Sequence, residues 1–305
     1  MKIHSRKIKE DFASYFTDLE KSVQDSLKRH KETETPNIFK AAYPLFVMLE
    51  TLSNSEYFLD PAMQIQLDKC IEGGDKNKII AARRRLFNST MKMSDELKRG
   101  LEDQFFTPYF KELYSDTLLL VNQYYLNNYR GCYLYLRCIL EDVYKHIYYR
   151  DHRQEFYMVT SEGVSEYTLG ITPQFLRSYL EKTLELYQLR AFNYALEKLD
   201  GANREQNKET IFKLNDNLYG KTSAFVHPSN KTFMGHAMSN SELIYEKTKA
   251  QEVLEATKEV INMTIIFLIC VHFQQFCRFN EYEKNLVIAG FDEETKRNLR
   301  VNFGI

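Results

Sequence analysis

The scarcity of turn-forming residues constrains this fold more than any motif does: 305 residues contain only 11 glycines and 6 prolines. Short strands joined by tight turns consume both, because glycine supplies positive φ and proline presets the first turn position. A chain without them travels in long segments. Those segments carry apolar residues at three- and four-residue intervals, as with Ile8, Phe12, Tyr15, Phe16, Leu19, Val23 and Leu27 within 5–30. This spacing lays one apolar stripe along a helix. The same texture predicts helices over 38–52, 61–71, 76–87, 94–114, 117–149, 173–199, 209–227 and 242–279. The fold class is all-α, with no internal repeat and no low-complexity tract. Residues 150–170, which include EFYMVTSEGVSEYTLG, read as a loop or a short hairpin, and any strand is expected there.

Composition narrows the class further. With 44% hydrophobic and 14% aromatic residues the chain can build an ample core. Its 41 basic and 42 acidic residues nearly cancel, so a nucleic-acid partner would need a local patch. Cysteines at 70, 132, 138, 270 and 277 form an odd set inside apolar helical text, and the start MKIHSRKIKEDF shows no export signal. Both point to a reducing cytoplasm. The longest apolar run, Ile261 to Phe273, is too short for a bilayer and contains Asn262 and His272. It reads as a buried core helix, and no membrane partner is expected.

Two polar words interrupt the apolar text. Arg137 and Glu141 lie in GCYLYLRCILEDVY, and Ser223 and His227 in LYGKTSAFVHPS. Each pair is spaced i, i+4, so both members face one way on a helix and can meet the other pair at a crossing. The residues around Arg137 leave no polar face, which predicts that Arg137 and Glu141 are inside and paired, since an unpaired buried charge is costly. Pro228 stops the second helix, leaving His227 at a C-terminus that favours its protonated form. Two readings stay open: a polar network that fixes a helix crossing, or a functional site.

The run NNYRGCYLYLRCILEDVY, followed some way on by LYGKTSAFVHPS, resembles the HEPN superfamily of helical bundles and its bacterial defence-associated relatives. The resemblance covers about 113–279. It implies a four- or five-helix bundle over 111–305, preceded by an N-terminal helical region over 1–110. It also implies a homo-oligomer, commonly a dimer, in an antiviral defence or toxin–antitoxin setting. Active members are metal-independent ribonucleases whose arginine is followed by a polar residue and then by a histidine. Here Lys221 stands at the arginine position, Thr222 follows, and His227 matches the histidine. The resemblance would make His227 the general acid or base at the ribose 2′-hydroxyl and Lys221 the stabiliser of phosphorane charge. The other implied role is that of a non-catalytic or partner-dependent component of such an assembly, with the bundle holding a protein or nucleic-acid partner.

Other chemistry finds little support. Asn215 to Thr222, NDNLYGKT, misses the first glycine of a phosphate-binding loop and lacks the strand that should precede it. Cys270, His272 and Cys277 do not have zinc-ligand spacing, so no metal and no cofactor is expected. Between Asp75 and Arg99, eight basic residues (Lys76, Lys78, Arg83, Arg84, Arg85, Lys92, Lys98 and Arg99) face three acidic ones. This segment is the candidate RNA-contacting face, with Arg83, Arg84, Arg85 and Lys92 at its centre. A solvated helix face explains the same charges.

Overall fold

The computed structural model describes residues 2–32, 38–53, 108–183, 204–226 and 244–303. The basic segment with Arg83, Arg84, Arg85 and Lys92 lies outside the described residues, as do the helices expected over 61–71 and 76–87. All described regular structure is helical: α1 (Lys2–Glu32), α2 (Ile38–Ser53), α3 (Phe110–Tyr125), α4 (Tyr129–Asp151), α5 (Arg153–Thr160) and α6 (Pro173–Thr183) come first. They are followed by α7 (Arg204–Val226), α8 (Lys247–Val271), α9 (Phe273–Cys277), α10 (Glu281–Val287), a 3-10 turn at Ile288–Gly290, and α11 (Glu293–Phe303).

Helix α4 is the axis of the bundle, packed against α3, α6, α7 and α8. Its buried residues include Cys132, Leu136, Ile139, Leu140, Val143 and Ile147, which recur at helical spacing on the core side. Helix α8 contains the long apolar run as far as Val271 and buries Ile261, Ile265, Leu268 and Ile269 completely. Among the described residues no helix is long and apolar enough to cross a membrane. Helix α2 lies within the N-terminal region 1–110, yet it packs on α3, α8 and α10. It therefore shares one core with helices of 111–305.

The stretch expected to be helical over 94–114 contains a turn at 108–109, and the helix expected over 242–279 begins at Lys247 and is broken at His272; two further stretches also differ from the expected pattern. The helical text over 117–149 is broken at 126–128, where Asn127 adopts φ 56°. Asparagine tolerates this left-handed conformation better than other non-glycine residues. Its side chain is fixed there: Nδ2 donates to Ser26 Oγ at 2.8 Å, and Oδ1 lies 3.1 Å from His30 Nε2. The break thus anchors the end of α1. Asn128 then caps α4 by accepting from the Gly131 N–H at 3.0 Å. In the second stretch, 150–170, the structure has helix α5 followed by turns, and there is no strand among the described residues. Phe156 and Val159 are three apart, which puts both on the helix face that packs against the core. Gly163 (φ 69°) and Gly170 (φ 73°) turn the chain afterwards.

A buried histidine pair joins α4 to the end of α8. His146 Nε2 lies 2.8 Å from His272 Nε2, and His146 Nδ1 lies 2.5 Å from the Pro108 carbonyl. A carbonyl can only accept, so His146 carries its proton on Nδ1 and its Nε2 accepts the His272 proton. Both rings are neutral. Burial lowers the His146 pKa to about 3 against the opposing Pro108 contact, and burial with the neighbouring His146 and Arg150 holds His272 well below the usual histidine range. Arg150 donates to the Val271 carbonyl, meeting the negative end of α8.

Candidate functional site

Arg137 and Glu141 lie one turn apart on α4, and their side chains pair at 2.8 Å between Nε and Oε1. They sit at the rim of the core rather than inside it, with side chains 17% and 23% exposed. Helix α7 crosses here and supplies Tyr219. Its hydroxyl donates to Glu141 Oε1 at 2.8 Å and accepts from Arg137 Nη2 at 3.3 Å. The three side chains thus close a triangle of hydrogen bonds across the α4–α7 contact. Burial and then the bond to Glu141 raise the Tyr219 pKa, so the phenol stays a donor. Burial acts to lower the Arg137 pKa, but Glu141 and Tyr219 outweigh it and hold the guanidinium charged.

Helix α6 adds a second arginine. Arg177 lies 4.3 Å from the Tyr219 ring centroid, and Arg137 lies 5.4 Å from it. Cations over a tyrosine ring are attracted by its quadrupole. Arg177 also pairs with Asp216 of α7 at 3.0 Å. Below this layer, the buried Tyr144 hydroxyl donates to Asn215 Oδ1 at 2.7 Å. Asn215, Tyr219 and Thr222 are all buried, and their four- and three-residue spacing puts one polar stripe of α7 on α4. Farther along, Phe225 stacks on Tyr133 at 3.7 Å, and Arg130 Nε donates to the Phe225 carbonyl at 3.3 Å.

The residues singled out in the sequence are distributed unevenly around this crossing. Arg137 and Glu141 are together. Ser223 lies one turn beyond Tyr219, but its buried Oγ has no hydrogen-bond partner among the described residues, and Tyr219 bonds to Glu141 instead. Lys221 is exposed, and no ion pair links it to another described residue. His227 lies outside the described residues, which end in α7 at Val226. Sequence reasoning missed Tyr219, Arg177 and Asp216. Tyr219 stands inside the quoted word LYGKTS, and the polar spacing Asn215, Tyr219, Ser223 could have revealed it. Among the described residues no group of three or more histidine, cysteine, aspartate or glutamate side chains could hold a metal ion.

Chemically, the arrangement is a set of cations neutralised within the fold. Each guanidinium has a carboxylate partner and each faces the same tyrosine ring. Such a site resists rearrangement of the α4, α6 and α7 contacts. No protein-family model, curated protein or solved structure matches this chain.

Proposed function

We propose that the chain is a non-catalytic, HEPN-like helical bundle that holds a protein or nucleic-acid partner in a prokaryotic antiviral defence or toxin–antitoxin assembly. The observation that carries this reading is the closed triangle of Arg137, Glu141 and Tyr219. An arginine that stabilises a reacting phosphate keeps its donor fork directed at the substrate. Here Nε and Nη2 are directed at the protein's own groups. The substitution of Lys221 for the arginine of active relatives favours the same reading, because an ammonium cannot contact phosphate oxygens in the bidentate way of a guanidinium.

The test is RNA cleavage by the full chain in the presence of a strong metal chelator. The expected result is no cleavage above a protein-free blank, unchanged by Lys221→Ala or His227→Ala. The full chain should also form a stable complex with the product of a neighbouring defence or toxin–antitoxin gene. Chelator-resistant cleavage that disappears in a folded His227→Ala variant would instead establish a metal-independent ribonuclease acting through His227 and Lys221.

A further inference from the structure

On the face of α4 that meets α3, two carboxyl groups face each other. Asp142 is 9% exposed, and among the described residues its Oδ2 has no N–H or O–H donor. The group facing it across the packed α3–α4 contact is Asp116 of α3, and the Cys138 thiol lies beside Asp116. A carboxylate bonds only as an acceptor. Two ionised carboxylates facing each other at short range in a medium of low polarity would repel. A single proton held between the two acids removes both problems, because it turns one of them into a donor.

The remaining charges nearby do not supply an alternative. Lys145 is the cation facing Asp142, but its Nζ is paired at 2.8 Å with Glu166 and sits over the Tyr109 ring. Glu112 of α3 adds negative charge toward both acids, and Tyr109 is a neutral phenol bonded to Glu166. Glu141 lies toward Cys138. From these contacts we infer that Asp116 and Asp142 bind one proton between them, and that this proton makes the α3–α4 seam a pH-dependent joint of the bundle.

The direction of the effect follows from linkage. Burial, then Asp116, raises Asp142 to about 8, and burial raises Asp116 as well. Between the ordinary aspartate value and about 8 the folded chain therefore holds a proton that the unfolded chain has released. Stability contributed by the seam is present in acid and falls as pH rises toward 8, by up to about tenfold in the folding constant per pH unit. Above that value the fall levels off. The buried histidine pair titrates in the unfolded chain at about 6.5 and the buried thiols at about 8.5, so comparison with Asp142→Asn is what separates the carboxyl pair from both.

The experiment is urea unfolding of the full chain at closely spaced pH values from 6.5 to 9, with Asp142→Asn beside the wild type. An asparagine amide donates to Asp116 without a titrating proton, so the variant should lose the alkaline decline that the wild type shows. Taking the difference between the two cancels every other titrating group. Asp116→Asn changes the more exposed member and carries the same expectation, whereas Glu112→Gln should leave the decline in place. Infrared spectra at pH 6.5 should contain a protonated-carboxyl stretch that disappears in Asp142→Asn. Parallel pH curves for wild type and both asparagine variants, or the absence of that band, would overturn the shared proton.

Discussion

Replacing His272 by glutamine isolates the acid sensitivity of the bundle. In the native state His272 donates from Nε2 to His146 over 2.8 Å and is 4% exposed, while His146 is fully buried. A glutamine Nε2 can make the same donation, but it does not titrate. In the unfolded chain a histidine takes up a proton below about 6.5. The native pair refuses it, because burial holds His146 near 3 and His272 well below its ordinary value. Stability from the neutral pair is therefore fully present above about 6.5 and is lost as pH falls. For His272 alone, the loss between pH 7.5 and pH 5 is about 2 kcal/mol, from about 1.4 kcal/mol per pH unit over the unit and a half below 6.5. His272→Gln should cost about 1 to 3 kcal/mol at pH 7.5 through imperfect packing. Its disadvantage should shrink by about 2 kcal/mol at pH 5, since the variant has no such proton to exclude. Urea unfolding at both pH values measures the two gaps. A gap that stays constant within a few tenths of a kcal/mol would refute the neutral buried pair.

Further outcomes follow from the same contacts. Asn127→Ala should destabilise the chain by about 2 to 3 kcal/mol in chemical unfolding, because alanine is strained at positive φ and removes the Asn127 contacts to Ser26 and His30. Cys132 and Cys270 should resist iodoacetamide at pH 8 until the chain unfolds, since burial raises both thiols, Cys270 to about 12, and mass spectrometry of labelled peptides reads the result. Lys221→Ala should change thermal stability by less than about 0.5 kcal/mol, as expected of an exposed side chain with no ion pair among the described residues.

The all-α class was legible because helical periodicity and the lack of turn residues are local properties. Most of the run from Ile261 to Phe273 could be read as a core helix for the same reason, being apolar on nearly every side, but the end of α8 at Val271 could not. The interruption at 126–128 was harder, since Asn127 and Asn128 do not forbid a helix, and the left-handed turn depends on Ser26 and His30 a hundred residues away in the chain. The pairing of Arg137 with Glu141 could be read from i, i+4 spacing, but the partner chosen on α7 could not. Which turn of α7 meets Arg137 depends on the crossing register, and that register is set by packing such as Phe225 on Tyr133. Arg177 and Asp216 meet across 39 residues of sequence with no local signal at all. Nothing local marks Asp142 and His146, one turn apart on α4, because their partners, Asp116 and His272, come from two different neighbours.

The triangle of Arg137, Glu141 and Tyr219 is a structural joint, and a double-mutant cycle tests that most directly. Glu141→Ala, Tyr219→Phe and the double variant are compared with wild type by thermal and chemical unfolding. The side chains of Arg137 and Glu141 are 17% and 23% exposed, so each single change should cost about 1 to 2 kcal/mol, below the roughly 3 to 5 kcal/mol of breaking a fully buried pair. The two losses should couple by about 1 kcal/mol, because removing either group breaks the same Tyr219–Glu141 hydrogen bond. Strictly additive losses, or variants as stable as wild type, would contradict the joint and leave Arg137 free for a substrate.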